Sequence, residues 1–104
     1  MRKIKAEVNY KINDDGSIQM SCSVPLTDDE VDEFRRVLAQ GSTFLDPTID
    51  GNTIHYSLLE KYNSKKEADK IVENRVKLFH MSVRSRTELT LSCDLTLNVI
   101  QKYD

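Results

Sequence analysis

Two cysteines and two histidines are the residues of this chain best suited to chemistry, and their spacing limits what they can do. Cys22 and Cys93 form no CxxC pair, disulfide framework or metal-ligand cluster. Both fall on the apolar side of alternating segments, which favours buried, unreactive thiols. His55 and His80 have no clustered cysteine or acid beside them, so they do not form a zinc motif.

The motifs of well-known catalytic and nucleotide sites do not occur in the printed sequence. GxGxxG, GxxxxGK[ST], GxSxG and HExxH are all missing. The sequence therefore predicts no catalytic constellation, no cofactor and no metal site, and a protein that is not an enzyme. One alternative stays open: a small enzyme could use His55 or His80 with a nearby carboxylate, if a pocket surrounds the histidine.

Charge is unevenly distributed, with acids in excess over residues 27–53 and basic residues in excess over residues 54–86. The first excess suggests an acidic docking surface made of Asp28, Asp29, Asp32 and Glu33. Acids in a first helical turn also stabilise the helix dipole, which explains most of the same cluster without a partner.

The second excess suggests a basic contact surface made of Lys66, Lys70, Lys77, Arg84 and Arg86. Such a track could contact phosphates. Lys77 also lies four residues after Glu73, so a helix in this region partly neutralises its own charge.

The totals set the class of protein and the expected partners. A chain of 104 residues with 38% hydrophobic and 31% charged residues predicts one ordered domain over residues 1–104. We expect an interaction or regulatory protein that acts through protein–protein contacts, with a homodimer as one form. The alternative is a nucleic-acid-binding protein that uses the basic helix and an Arg84/Arg86 connector. No apolar stretch suggests an export signal or a membrane contact, so we expect a cytoplasmic protein.

Two segments in which apolar and polar residues alternate lie at the start of the chain, and the second contains Cys22. Apolar residues from Ile4 to Ile12 and from Ile18 to Leu26 recur at every second position, which predicts two strands with one apolar face. The Asn13–Gly16 turn signal between them predicts a β-hairpin.

A helix is predicted directly after the hairpin. Thr27 and Glu30 have the spacing of a capping box, and Val31 and Phe34 begin an apolar stripe at helical spacing. Gly41 is placed to end this helix. Residues 42–53 read as irregular, and residues 53–62 fit either a short strand or a helix.

The second half of the chain predicts a second helix and a long strand. Ser64 and Glu67 repeat the capping pattern, and apolar spacing continues to about His80 or Val83. Residues 84–86 then read as a connector, and Leu89 to Val99 alternate as a strand that we expect at the centre of the sheet. The result is an α+β fold in ββαβαβ order, with a mostly antiparallel or mixed four-stranded sheet and two helices packed on one face.

Overall fold

The computed structural model describes residues 2–40, 45 and 47–101. In this part of the chain the elements are β1 (Lys3–Ile12), β2 (Ile18–Pro25), α1 (Asp28–Leu38), β3 (Thr48–Asp50), β4 (Thr53–Glu60), α2 (Lys65–Leu91) and β5 (Asp94–Gln101). The strands form one mixed sheet in the order β3-β4-β2-β1-β5. The α+β class is confirmed, with five strands where four were predicted. The added strand is the three-residue β3.

The sheet has one buried face and one exposed face, as the alternating residues predict. The buried face, called the inner face here, carries Val8, Met20, Cys22 and Tyr56, and both helices pack against it. The exposed face, called the outer face, carries the polar residues between them, such as Ser21, Ser23 and Ser57. Since successive side chains of a strand point to opposite sides, each strand contributes to both faces.

The β-hairpin is confirmed, and its turn also supports the second helix. Gly16 has φ +88°, a conformation that favours glycine. A Cβ atom at Gly16 would lie 2.6 Å from the Ser64 carbonyl carbon, at the residue that caps α2. The turn therefore contacts the start of α2 too closely for a side chain.

Residues 53–60 form a strand, so of the two alternatives predicted for this segment the strand is confirmed and the helix is wrong. β4 pairs with β2 in antiparallel register, and Ile54 and Tyr56 enter the core. The Tyr56 hydroxyl shares a buried 3.0 Å hydrogen bond with Thr87 Oγ1, which links β4 to α2. Burial raises the pKa of Tyr56 to about 12.

Both predicted helix starts are confirmed. At α1, Glu30 N–H donates to Thr27 Oγ1 at 3.3 Å, and Thr27 N–H donates to Glu30 Oε1 at 2.8 Å, which completes the capping box. At α2, Glu67 N–H donates to Ser64 Oγ at 3.2 Å, without the return bond. Gly41, which was expected to end α1, lies outside the described residues.

The predicted end of α2 is wrong. The helix continues through residues 84–86 to Leu91, so Arg84 and Arg86 are helical and form no connector. Leu89 and Leu91, expected on a strand, belong to its last turn. The helix ends at Ser92, which has φ 51° and donates its N–H to Glu88 O. A residue in the left-handed conformation can end a helix even when it is not glycine. Because Ser92 is not a glycine, the sequence did not indicate where α2 ends.

The predicted central position of the last strand is also wrong. β5 lies at the edge of the sheet and pairs in parallel with β1, so β4 is not its neighbour. β2 already occupies the space between β1 and β4. β1 pairs with β2 along one of its two edges, so the strand that follows α2 forms along the other edge of β1.

Candidate functional site

Ser23 and His55 meet on the outer face of the sheet. They are directly opposite each other in the register of β2 and β4, and Ser23 Oγ lies 2.7 Å from His55 Nδ1. This is the distance of a short hydrogen bond. Ser23 is exposed, so its hydroxyl is open to solvent.

Asp50 brings a carboxylate to the other side of the same imidazole. It ends β3, and the tight turn at Gly51, which has φ +58°, leads directly into β4. Asp50 Oδ2 lies 3.9 Å from His55 Nε2, an ion-pair distance that is longer than a hydrogen bond. The outer face thus holds a serine, histidine and aspartate in one line, called the Ser23–His55–Asp50 line below.

A shallow depression lies beside Ser23 on the side away from His55. Its lining includes Lys5, Glu7, Asn9 and Asn98, which come from β1 and β5. Because β2 lies between β1 and β4, Ser23 separates this depression from the histidine. The depression offers ammonium and amide N–H donors next to a hydroxyl group.

His80 does not join this arrangement. It lies on α2, which packs against the inner face, whereas His55 lies on the outer face. The sheet therefore separates the two histidines. Of the two residues considered for a small enzyme, His55 has a carboxylate within ion-pair distance.

The prediction that both cysteines are buried is confirmed. Both thiols are free and buried. Burial raises the pKa of Cys22 to about 12 and also raises the pKa of Cys93, with smaller contributions from Glu88 and Glu30. Neither side chain is placed to act as a thiolate nucleophile.

Four of the five residues of the candidate basic contact surface, Lys66, Lys70, Lys77 and Arg84, lie within about 40° of one another around α2. Lys77 pairs with Glu73 at 3.6 Å, and Arg84 pairs with Glu88 at 3.1 Å. Arg86 lies about 200° around the helix from Arg84. Lys66 and Lys70 remain exposed on the side of α2 that carries Lys77.

The candidate acidic docking surface lies at the start of α1. Asp28, Asp29 and Asp32 are exposed, and Glu33 forms an ion pair with Arg36. Glu30, next to them, is occupied by the capping box and by Arg2. Glu33 keeps 41% of its side chain exposed, so all four residues lie on the surface and one of them shares an ion pair.

A set of apolar side chains on α2 points away from the sheet. Leu78, Met81 and Leu89 have 54%, 63% and 84% of their surface exposed. At 100° per residue they lie within one third of the helix circumference, together with the exposed Ser85. This set, called the α2 stripe, was missed because Leu89 was predicted to lie on a strand.

The side of α2 at Leu78 also carries a small cleft. It is lined by Leu45, Leu58, Leu78 and Phe79, and also by Ser82 and by the ion pair of Arg75 and Glu60. Leu45 and Phe79 are buried. An apolar side chain from outside could therefore contact the core at this position.

Two further findings concern the described residues only. No described helix combines the length and hydropathy needed to cross a membrane. Within residues 2–40, 45 and 47–101, no three His, Cys, Asp or Glu side chains form a metal-binding group.

The chain matches no family model and no curated protein. Among solved structures it is similar to the crystal structure of an essential ribosomal processing protease Prp from S. aureus in complex with a covalently linked product peptide. The match has 18% identity and a TM-score of 0.27, and covers 91% of this chain and 99% of that chain. The prediction that this chain is not an enzyme is contradicted by this match to a protease and no longer stands. A superposition of this quality carries no argument that the chain is itself a protease.

Proposed function

We propose that this protein is an interaction protein that acts through protein–protein contacts and forms a homodimer through the α2 stripe. The observation that carries the proposal is the exposure of Leu78, Met81 and Leu89 on one side of a helix. Single exposed leucines are common, whereas a group of large apolar side chains on one helical face is typical of a docking surface.

The α2 stripe is complementary to itself in an antiparallel arrangement. If two antiparallel copies of α2 cross between Val83 and Arg84, Leu89 of each copy lies beside Leu78 of the other. Leu89 is 84% exposed, and Leu78 borders the cleft, so a protruding side chain meets a recess twice in the dimer. The small side chain of Ser85, next to this crossing point, lets the two helices approach closely there.

Charge supports the same pairing. In an antiparallel pair of helices, the same flank of each helix faces its copy. Lys77 and Glu88 lie on one flank of the stripe, on either side of its centre. The arrangement that brings Leu78 and Leu89 together therefore also brings each Lys77, paired with Glu73 in its own helix, near the other copy's Glu88, paired with Arg84.

The test compares two exposed leucines. Leu89→Lys introduces a charge into the α2 stripe, and Leu59→Lys makes the same change at a leucine that is 52% exposed on β4. Burial of a leucine contributes about 1.5–3 kcal/mol, and two copies are lost, so Leu89→Lys should raise the dimer dissociation constant by about 100-fold or more. Sedimentation velocity should give twice the 12.0 kDa chain mass for the wild type and for Leu59→Lys.

A monomeric wild type would contradict the proposal. So would a dimer that resists Leu89→Lys, because the interface would then lie elsewhere, for example at the free edge of β5. Circular dichroism of both variants checks that the fold is unchanged.

Nucleic-acid binding through Lys66, Lys70 and their neighbours is the alternative function. The ion pairs of Lys77 and Arg84 reduce its support. A gel shift at low salt that is lost in Lys70→Glu would favour it over the dimer as the main function. We also propose a cytoplasmic location, which is supported by the two free cysteines.

A further inference from the structure

We infer that Ser23 is a nucleophile, with His55 as its general base, for small uncharged acyl esters that bind in the depression between β1, β2 and β5. A serine hydroxyl is a weak nucleophile until a base accepts its proton. The 2.7 Å distance between Ser23 Oγ and His55 Nδ1 lies within the range that proton transfer requires. The inference is independent of the proposed dimer, since the Ser23–His55–Asp50 line lies on the outer face and the α2 stripe on the other side of the sheet.

Asp50 acts as a positioning residue. When His55 takes the serine proton it becomes a cation, and a carboxylate 3.9 Å from its other nitrogen stabilises that charge. The Asp50 side chain is 88% exposed, so solvent screens much of this attraction. We therefore expect Asp50 to contribute less than Ser23 or His55.

The depression supplies the place for the acyl group. It lies on the side of Ser23 opposite the base, so an ester held there would present its carbonyl carbon to Oγ. Lys5, Asn9 and Asn98 line it and carry N–H groups that can bind the carbonyl oxygen as negative charge develops.

The same lining defines the substrate class. Glu7 lies directly opposite Ser23 in the register of β1 and β2, and its carboxylate repels anionic substrates. The depression is shallow and open on a sheet face, which suits a short acyl chain. Small neutral esters fit both conditions.

The chemistry balances as two acyl transfers. Ser23 Oγ forms a bond to the carbonyl carbon, its proton moves to His55 Nδ1, and the bond from that carbon to the alcohol oxygen breaks. The departing alcohol takes the proton from His55. Water then attacks the acyl-serine, gives one proton to His55, and releases the carboxylic acid as that proton returns to Ser23 Oγ.

Two probes test the nucleophile directly. A fluorophosphonate should label Ser23 with loss of fluoride, and peptide mass spectrometry should locate the label. Hydrolysis of p-nitrophenyl acetate should be lost in Ser23→Ala and fall by about 100-fold or more in His55→Gln. Ser21→Ala is the matched control, because Ser21 is an exposed serine on the same strand and the same face, opposite Ser57 rather than a histidine.

Asp50→Asn separates positioning from binding. It should lower kcat by several-fold and leave KM unchanged, because Asp50 does not line the depression. Asp50→Glu, which keeps the carboxylate, should restore part of the loss.

Equal labelling of the wild type and Ser23→Ala would overturn the inference, as would no labelling of the wild type at all. Equal losses in Ser21→Ala and Ser23→Ala would also overturn it, because the effect would then follow the surface rather than the histidine. Leu89→Lys should keep full esterase activity, so a failed dimer and a failed nucleophile give different results.

Discussion

The two helices lie on the same face of the same sheet, but the outer surface of α2 carries large apolar side chains among its charged ones. Each buries a phenylalanine, Phe34 in α1 and Phe79 in α2. The outer surface of α1 is charged, with Asp32, Arg35 and Arg36 exposed. The outer surface of α2 carries the exposed apolar residues Leu78, Met81 and Leu89.

Both helices pack in the core, so their different roles are indicated by their outer surfaces. A charged outer face is what a helix needs to remain in water. An apolar outer face leaves hydrophobic surface in contact with water, which favours a partner that covers it. Both helices therefore support the fold, and α2 in addition offers a surface for association.

The variants with the largest expected effect test whether the buried sides of α1 and α2 contribute equally to the core. Phe34→Ala and Phe79→Ala should each lower the free energy of unfolding by about 3–5 kcal/mol, because each leaves a cavity in a closed core. Urea denaturation monitored by circular dichroism gives both values. Leu59→Ala, at an exposed leucine, should cost about 0.5 kcal/mol or less. If Phe34→Ala cost no more than this control, α1 would not share the core with α2.

A smaller test compares the first turns of the helices. Glu30 and Glu67 occupy the same position after their caps, but Glu30 alone bonds back to the backbone and also pairs with Arg2. Glu30→Ala should therefore cost about 1 kcal/mol, and Glu67→Ala about 0.5 kcal/mol or less. Equal losses would mean that the helix dipole, which both carboxylates share, accounts for the whole effect.

The comparison of Glu30 with Glu67 also predicts how the free energy of unfolding depends on pH. Burial raises the pKa of Glu30, but the bonds from Thr27 and Arg2 outweigh it and leave the pKa lowered. A lowered pKa in the folded state means that the stabilisation is present above the ordinary value of 4.5 and is lost as the pH falls through the folded value. The excess cost of Glu30→Ala over Glu67→Ala should shrink accordingly in acid.

The smallest expected effect concerns the end of α2. Ser92 has φ 51°, a conformation that costs a residue with a Cβ atom about 1 kcal/mol relative to glycine. Ser92→Gly should thus raise the free energy of unfolding by about 0.5–1 kcal/mol, less the greater chain entropy of glycine. A thermal unfolding curve shifted to lower temperature would show that the serine side chain stabilises this end of the helix.

Local patterns predicted much of the fold correctly. The hairpin, α1, the start of α2 and the single apolar face of the sheet follow from alternation, turn residues and capping residues. These features depend on interactions between residues close in the chain. Two local predictions failed: β3 was read as irregular, and the boundary between α2 and β5 was misplaced, because Leu89, Leu91 and Cys93 alternate as a strand would and no glycine interrupts them.

The candidate site could be predicted only in part. Alternation placed His55 on the polar side of its strand and Ser23 on the polar side of β2. It did not show that these two residues are opposite each other, because strand register is set by the pairing of segments far apart in the chain. Asp50 was assigned to an irregular segment, so its approach to His55 was also missed.

The sequence by itself determined which residues face the core and which face water along β1, β2 and α1. The tertiary structure decided that β5 lies at an edge, that α2 extends to Leu91, and that Ser23, His55 and Asp50 form a line. The physical reason is the range of the interactions. Side-chain alternation and capping act over a few residues, whereas strand order, register and the competition between helix and strand depend on contacts that exist only after the chain has folded.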